Sequence, residues 1–365
     1  MSKVKISGGG RCNVTNAEFV PNTLATHYPR GEKELKGPFH SFMTAETMDW
    51  FESRGIALKV EADGRVFPES DSSQTIIDCF LREVDQYSID LKKNHAVRAV
   101  SQIKNGWKLA TTQGDFSCCK LMIATGSNPK IWKMLENIGL DIVSAVPSLF
   151  TFNIIDDRLK DIPGVVAKNV FVEVLGTTLN SDGPLLVTHS GLSAPAILKL
   201  SAFGAIALAN LNYEFEIRIN FVQQHSADCL QTLLECKPNY SKKRLVNTPL
   251  YELPKRLWSK LLQAAEIPVH TSWSDVSKAQ LQALSNQLTA TVFQVHDKST
   301  FKEEFVTAGG INLKEINFKT FESKRFKNLF FAGEILNIDG ITGGFNFQNA
   351  WTGAYLAAQE LSKVQ

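Results

Sequence analysis

The sequence has no surplus of charge, no long apolar run and no paired-cysteine motif, and each absence narrows what the chain can do. Thirty-nine basic residues face 37 acidic ones, a net charge of +2. No chain-wide field therefore steers polyanions, although a local basic groove stays open. The longest apolar stretch, Ala196 to Leu211, carries Lys199 and ends beside Asn210, which reads as a buried amphipathic helix rather than a membrane span. The first residues lack the apolar core of a secretory leader. A cytoplasmic protein with no membrane association is the expectation. None of the six cysteines (Cys12, Cys79, Cys118, Cys119, Cys229, Cys236) stands in a C-x-x-C pair, so no metal site is expected. Cys118 and Cys119 are adjacent in an expected strand and point to opposite faces. Cys229 and Cys236 share a helix face, and both pairs read as reduced packing residues.

What is present begins with "VKISGGGRCNVTN", Val4 to Asn16. Three consecutive glycines serve a flexible tail or a backbone that must touch a ligand. The continuation into Arg11, Cys12, Asn13, Val14, Thr15 and Asn16 mixes a guanidinium, amides and small side chains, which favours a binding loop.

The length of 365 residues and a 44% hydrophobic content predict two or three globular domains. Apolar spacing predicts a helix over Thr44 to Arg54, closed by Gly55. A hairpin turns at Asp63-Gly64, and "DSSQTIIDCFLREVDQY" follows as a helix capped within Asp71 to Ser73. "VRAVSQI", "WKLATTQ" and "FSCCKLMIAT" predict a three-strand meander, the third strand ending in "ATGSNPKIW". A strand stopping at Ala-Thr-Gly before a helix suits the carboxyl edge of a parallel sheet. The C-terminal "NLFFAGEILNIDGITGGFNFQNAWTGAYLAAQEL" predicts a buried strand over Leu329 to Ala332, then a loop, then a helix beginning after Gly343-Gly344. Two glycines at a helix start leave its free N–H groups aimed outward. That arrangement suits an anion or electron-sink site, or a turn needed only for strand and helix packing. Between the two ends lie short alternating strands, a helix with Ser193 as N-cap and Pro195 in its first turn, and a helical stretch from Ser226 to Leu288. Both ends of the chain thus build one domain.

Seven ordered blocks carry a family resemblance: "KISGGGRCNVTN", "GRVFPESDSSQTIIDCF", "IATGSNPKIW", "VPSLFTF", "GPLLVTHSGLSAPAILKLSA", "FVTAGGINLKEINFKTFESK" and "FFAGEILNIDGITGGFNFQNAWTGAYLA". Together they resemble the BaiN-like (YhiN-like) bacterial flavoproteins over essentially the whole chain. The resemblance implies an α/β, glutathione-reductase-type FAD-binding fold, interrupted by a β subdomain and a helical insert. The expected domains are 1–147 with 298–365 for FAD, 148–225 with 289–297 as a β-rich substrate subdomain, and 226–288 as the insert. It further implies FAD as cofactor and NAD(P)H as electron donor. Hydride would pass from the flavin N5 to an electron-poor carbon–carbon double bond of a small molecule or an RNA base. Members have been linked to reduction of unsaturated steroid acids and of uridine in ribosomal RNA.

By the same resemblance Gly8, Gly9, Gly10, Arg11, Cys12, Asn13 and Val14 would line the flavin, with Ala124, Thr125 and Gly126. Gly333, Glu334, Asp339, Gly343, Gly344, Phe345, Asn346 and Phe347 would close the site. Glu334 and Asp339 would accept hydrogen bonds from ribityl or ribose hydroxyls. Cys12 is a candidate proton donor, set against a simple packing role. Family members carry a strand, a G-x-G-x-x-G turn, a helix and an acid-ended strand ahead of the SGGGRCN block. Here Met1 stands only a few residues before it, so the resemblance implies an N-terminally shortened member without its first βαβ unit. An exposed sheet edge, and weak folding or weak FAD binding, are the matching expectations. Ser127 stands where the family more often has a second glycine.

Two other readings compete. Gly191-Leu192-Ser193 between a strand and a helix has the setting of a hydrolase nucleophile elbow, but Pro195 replaces its second glycine and neither His270 nor His296 has a partner pattern. Basic runs at 237–245 and 322–327 suggest an RNA contact through Lys242, Lys243 and Arg244, or a solvated face. No protein partner is expected.

Overall fold

The computed structural model describes residues 1–299 and 306–363; residues 300–305, inside the expected FAD domain, lie outside the described residues. The chain forms two compact units, Met1–Ser148 with Lys302–Gln365, and Leu149–Phe301.

In the first unit the hairpin forms as expected, Leu58–Val60 pairing with Arg65–Pro68 around Gly64, whose φ is +83°. Thr15–Asn16 adds a third strand to Arg65–Pro68. The helix Ser73–Gln86 starts at Ser72, whose hydroxyl accepts from the Gln74 N–H at 3.3 Å, as an N-cap should. Its Ile76 and Cys79 pack with Val4, Cys12, Val14, Phe51 and Ile56.

The meander Val97–Ile103, Gly106–Thr111 and Gly114–Cys118 is present, but its third run breaks. Leu121–Ile123 leaves the meander and pairs in parallel with Leu329–Phe331, in the order 316–317, 322–323, 329–331, 121–123. Lys120 explains where the break falls. Its ammonium donates to the carbonyls of Glu360, Leu361 and Lys363 at 3.3, 2.9 and 2.8 Å, a cation against the negative end of the helix Phe345–Leu361. Leu329, Phe330 and Phe331 are all buried, so both strands sit under the helices of this unit.

The second unit is a seven-stranded antiparallel sheet, in the order 291–295, 215–220, 166–174, 180–187, 191–193, 151–153, 297–299. The strand Asp297–Ser299 pairs with Thr151–Asn153, so residues 298 and 299 belong to this sheet and not to the expected FAD domain. Helices Ser226–Asn239, Lys255–Ala264 and Lys278–Thr289 form the expected helical region. Their Leu233, Trp258 and Leu284 share one core with Val172, Ile217 and Phe293 of the sheet. The β-rich region and the insert are therefore one body around one core.

Ser193 does not cap the helix Pro195–Phe203. It lies in the strand Gly191–Ser193, its hydroxyl accepts from Thr151 at 3.0 Å, and the N-cap is Ala194 at φ +80°. Among the described residues no helix is long and apolar enough to cross a membrane. The apolar stretch from Ala196 falls in two short helices, Pro195–Phe203 and Ala205–Asn210.

Candidate functional site

The glycine block is not a tail. Ser2–Gly10 is a helical segment interrupted at Ser7, Gly8 and Gly9, and all three glycines have positive φ, +58°, +68° and +86°. Gly8 is confined: a Cβ there would lie 2.8 Å from the Phe67 ring. Gly9 and Gly10 differ, because a Cβ on either would meet nothing within 4 Å. Packing and positive φ both call for the first glycine; positive φ alone calls for the next two, which leave an open backbone.

The residues that follow are tied to the far end of the chain. With the oxygen and nitrogen of its amide exchanged, the assignment its neighbours favour, Asn13 accepts from the Gly344 N–H at 2.9 Å and donates to the Thr15 carbonyl at 3.0 Å. Thr15 donates to Gln348 at 2.5 Å, Asn16 donates to the Gly343 carbonyl at 3.0 Å, and the Trp351 indole donates to the Val14 carbonyl at 2.9 Å. Gly344, at φ +95°, has no room for a side chain; its Cβ would sit 2.4 Å from the Thr15 carbonyl. The helix Phe345–Leu361 starts there with no side-chain cap. Its first N–H groups and positive dipole end thus stand beside the loop that follows the glycines. Asn346 closes the preceding turn, accepting from the Gly340 N–H at 2.9 Å and donating to the Gly340 carbonyl at 3.0 Å. Phe345 is buried, its carbonyl accepting from Tyr28 at 2.6 Å and its ring stacked on His27 at 4.2 Å. Phe347 stacks on Trp351 at 5.4 Å.

A second group gathers at the carboxyl ends of the parallel strands. Ala124 and Thr125 are exposed after Ile123, and Gly126 and Gly333 take φ of +66° and +73°. A Cβ on Gly126 would lie 3.7 Å from the Glu334 carboxylate. The Lys3 ammonium is 3.9 Å from that carboxylate, whose side chain is 19% exposed. Burial pushes the Glu334 carboxyl above the usual glutamate range, with Lys3 pulling it back, Asp339 adding to the rise and a Ser127 hydrogen bond opposing it.

Three expected site residues point elsewhere. Asp339 is fully buried, its two oxygens held by the Arg30 fork, and it also accepts from Ser148 at 2.7 Å. Burial raises its carboxyl while Arg30 and Ser148 pull it back, and with its lone pairs engaged it braces the loop rather than greeting a hydroxyl. Arg11 turns to Glu61 at 2.6 Å and lies 3.9 Å above the Phe67 ring. Cys12 is buried at φ +62°, packed with Val4, Val14 and Ile76, and burial pushes its thiol up to about 12. Sequence reasoning missed Lys3, Tyr28, Arg30, Ser148, Gln348 and Trp351. Their signal is the partner each meets, and pattern within a segment does not carry that.

An apolar cleft of about 210 Å³ is walled by Phe42, Trp50, Phe51, Phe80, Trp351 and Tyr355, and Trp351 joins it to the expected site residues Phe347 and Val14.

The arrangement passes a test of fit for a dinucleotide cofactor. It presents open glycine backbone, an uncapped helix start and a carboxylate at the carboxyl edge of parallel strands. A family model described as "HI0933-like protein Rossmann domain" matches residues 1–360. The chain is 30% identical to the "Ribosomal RNA dihydrouridine synthase" of Escherichia coli (strain K12), with 98% of this chain and 88% of that protein covered. It is 25% identical to the Haemophilus influenzae protein of the same name, covering 99% and 90%. It is 24% identical to the "3-dehydro-bile acid delta(4,6)-reductase" of Clostridium scindens, covering 98% and 89%. A solved anhydrotetracycline hydroxylase, OxyS from Streptomyces rimosus, aligns at a TM-score of 0.28 and 10% identity, too slight a likeness to bear on the fold. Matched from its first residue to its 360th, this chain belongs to the HI0933-like Rossmann-domain family, the BaiN-like (YhiN-like) flavoproteins.

Proposed function

We propose that this protein is an FAD-dependent oxidoreductase that takes electrons from NAD(P)H and reduces an electron-poor carbon–carbon double bond, with the uracil ring of ribosomal RNA as its substrate. The observation that supports the cofactor assignment is the join of Asn16 to Gly343 and of Trp351 to Val14. It brings the loop after Gly9 and Gly10 to an uncapped helix start. The bound flavin supplies the hydride chemistry. The chain's own residues hold and polarise it. Backbone N–H groups after Gly344 would stabilise negative charge on a flavin held there. Gly9 and Gly10 let the backbone approach without a side chain between, and Glu334 accepts a hydroxyl hydrogen bond beside Lys3. The substrate class follows the relatives named for ribosomal RNA, which include the 30% identical one.

The deciding experiment starts with the visible spectrum of the purified chain with and without added FAD. Stoichiometric flavin bands, bleaching by NADH or NADPH under anaerobic conditions, and a gain of two hydrogens on uridine in deproteinised ribosomal RNA are expected. Reduction of an unsaturated steroid acid but not of RNA would keep the reductase and overturn the substrate. Absence of flavin bands at saturating FAD would overturn the cofactor assignment.

A further inference from the structure

From Cys236 to Tyr251 the chain carries four basic residues and no acidic one. Lys242, Lys243 and Arg244 are all exposed. Elsewhere in this unit Arg158, Lys168, Lys199 and Arg218 each have a carboxylate partner. Among the described residues, these three cations have no carboxylate partner, nor do the scattered Lys160, Lys255, Arg256, Lys260 and Lys278; what sets the three apart is that they are consecutive.

Their backbone is nevertheless fixed. The Lys243 carbonyl accepts from the Trp273 N–H at 3.0 Å, the Ser241 carbonyl from Ser274 at 3.0 Å, and the Leu245 N–H donates to Thr271 at 3.2 Å. Trp273 is fully buried, and its indole donates to Thr248 at 2.6 Å. The Tyr240 ring lies 6.0 Å from Trp273, with the Lys243 ammonium 5.1 Å from its centre. The facing strip contributes one carboxylate, Asp275, already held by Ser272 and Ser274. A solvated charge run has no need of a pinned backbone. Three consecutive cations on a fixed backbone, one of them over a half-exposed aromatic ring, suit phosphates with a base laid near the ring.

We propose that the strip Tyr240–Arg244 is the RNA-binding surface of this protein, clamping the phosphate backbone of single-stranded ribosomal RNA. The inference rests on the RNA-directed reading of the function and names the surface that reading requires.

The test compares the full chain with the triple variant K242A/K243A/R244A. A control triple, K93A/R98A/K104A, removes three exposed cations of the other unit and changes net charge equally. The probe is deproteinised bacterial ribosomal RNA, bound in rising KCl and read by filter retention. The strip variant should lose about tenfold or more in affinity. Its slope of log affinity against log salt should fall by about 2, at roughly 0.7 per lost phosphate contact on a single strand. The control should stay within about twofold of the parent. Equal losses in both triples, or none in the strip variant, would overturn the surface. The reductase assay separates this outcome from the parent reading. RNA held through the strip but never reduced sinks the function and leaves the surface. RNA reduced equally well by the strip variant at every salt concentration sinks the surface and leaves the function.

Discussion

Glu334 and Cys12 show how burial decides what a side chain can do. Because the folded chain holds the Glu334 proton more tightly than the unfolded chain, stability falls as pH rises from the unfolded glutamate value through the raised one. Glu334→Gln removes that slope. Without cofactor, melting temperatures of parent and variant should converge in acid and separate in the variant's favour toward neutrality; parallel curves would show that the shift is absent. Burial pushes the Cys12 thiol up to about 12, so it stays protonated at neutral pH, and its burial fits a packing role. Cys12→Ala should keep turnover within about twofold while costing stability, through a lost packing atom, of about 1 kcal/mol. A collapse of turnover with an intact melt would restore the catalytic role. Gly8 to Gly10 and Gly343-Gly344 were legible because residue type alone states the backbone they need. The pairing of Arg30 with Asp339, 309 positions apart, was not, since neither residue's neighbours hint at the other.

Among elements, capped helices and the Asp63-Gly64 hairpin could be read directly, because cap, turn and period lie within a dozen residues. The switch of sheet after Cys119 could not: apolar character runs on through the break, and the lysine that fixes it answers to a helix end more than 230 residues later. The start of the helix Phe345–Leu361 offers a sharp contrast between two glycines. Gly344→Ala drives a Cβ into the Thr15 backbone and should cost about 3 kcal/mol or more, seen as a large drop in melting temperature. Gly9→Ala meets no neighbour and should cost only about 1 kcal/mol of backbone strain. If the backbone there touches FAD, its dissociation constant nonetheless rises by about tenfold or more; unchanged FAD affinity would remove Gly9 from the site.

At the scale of the molecule, the sequence showed a discontinuous domain built from both ends but not the shared core of the second unit. Strands and helices there each have a self-sufficient pattern, and only their contact joins Trp258 and Leu284 to Phe293. Residues 149–299, contiguous and enclosing that core, should be soluble as a fragment and melt in one cooperative transition. Separate transitions for its strands and helices would restore two domains.

The hydrogen bonds from Thr15 to Gln348 and from Asn16 to Gly343 also set an order of events in time. During translation the glycine block leaves the ribosome more than 300 residues ahead of the partners it meets. The contiguous middle unit can fold while they are still being added. The join therefore closes only after the middle unit has been made, and a chain stalled before Gly343 would emerge folded in the middle with the glycine block unpartnered.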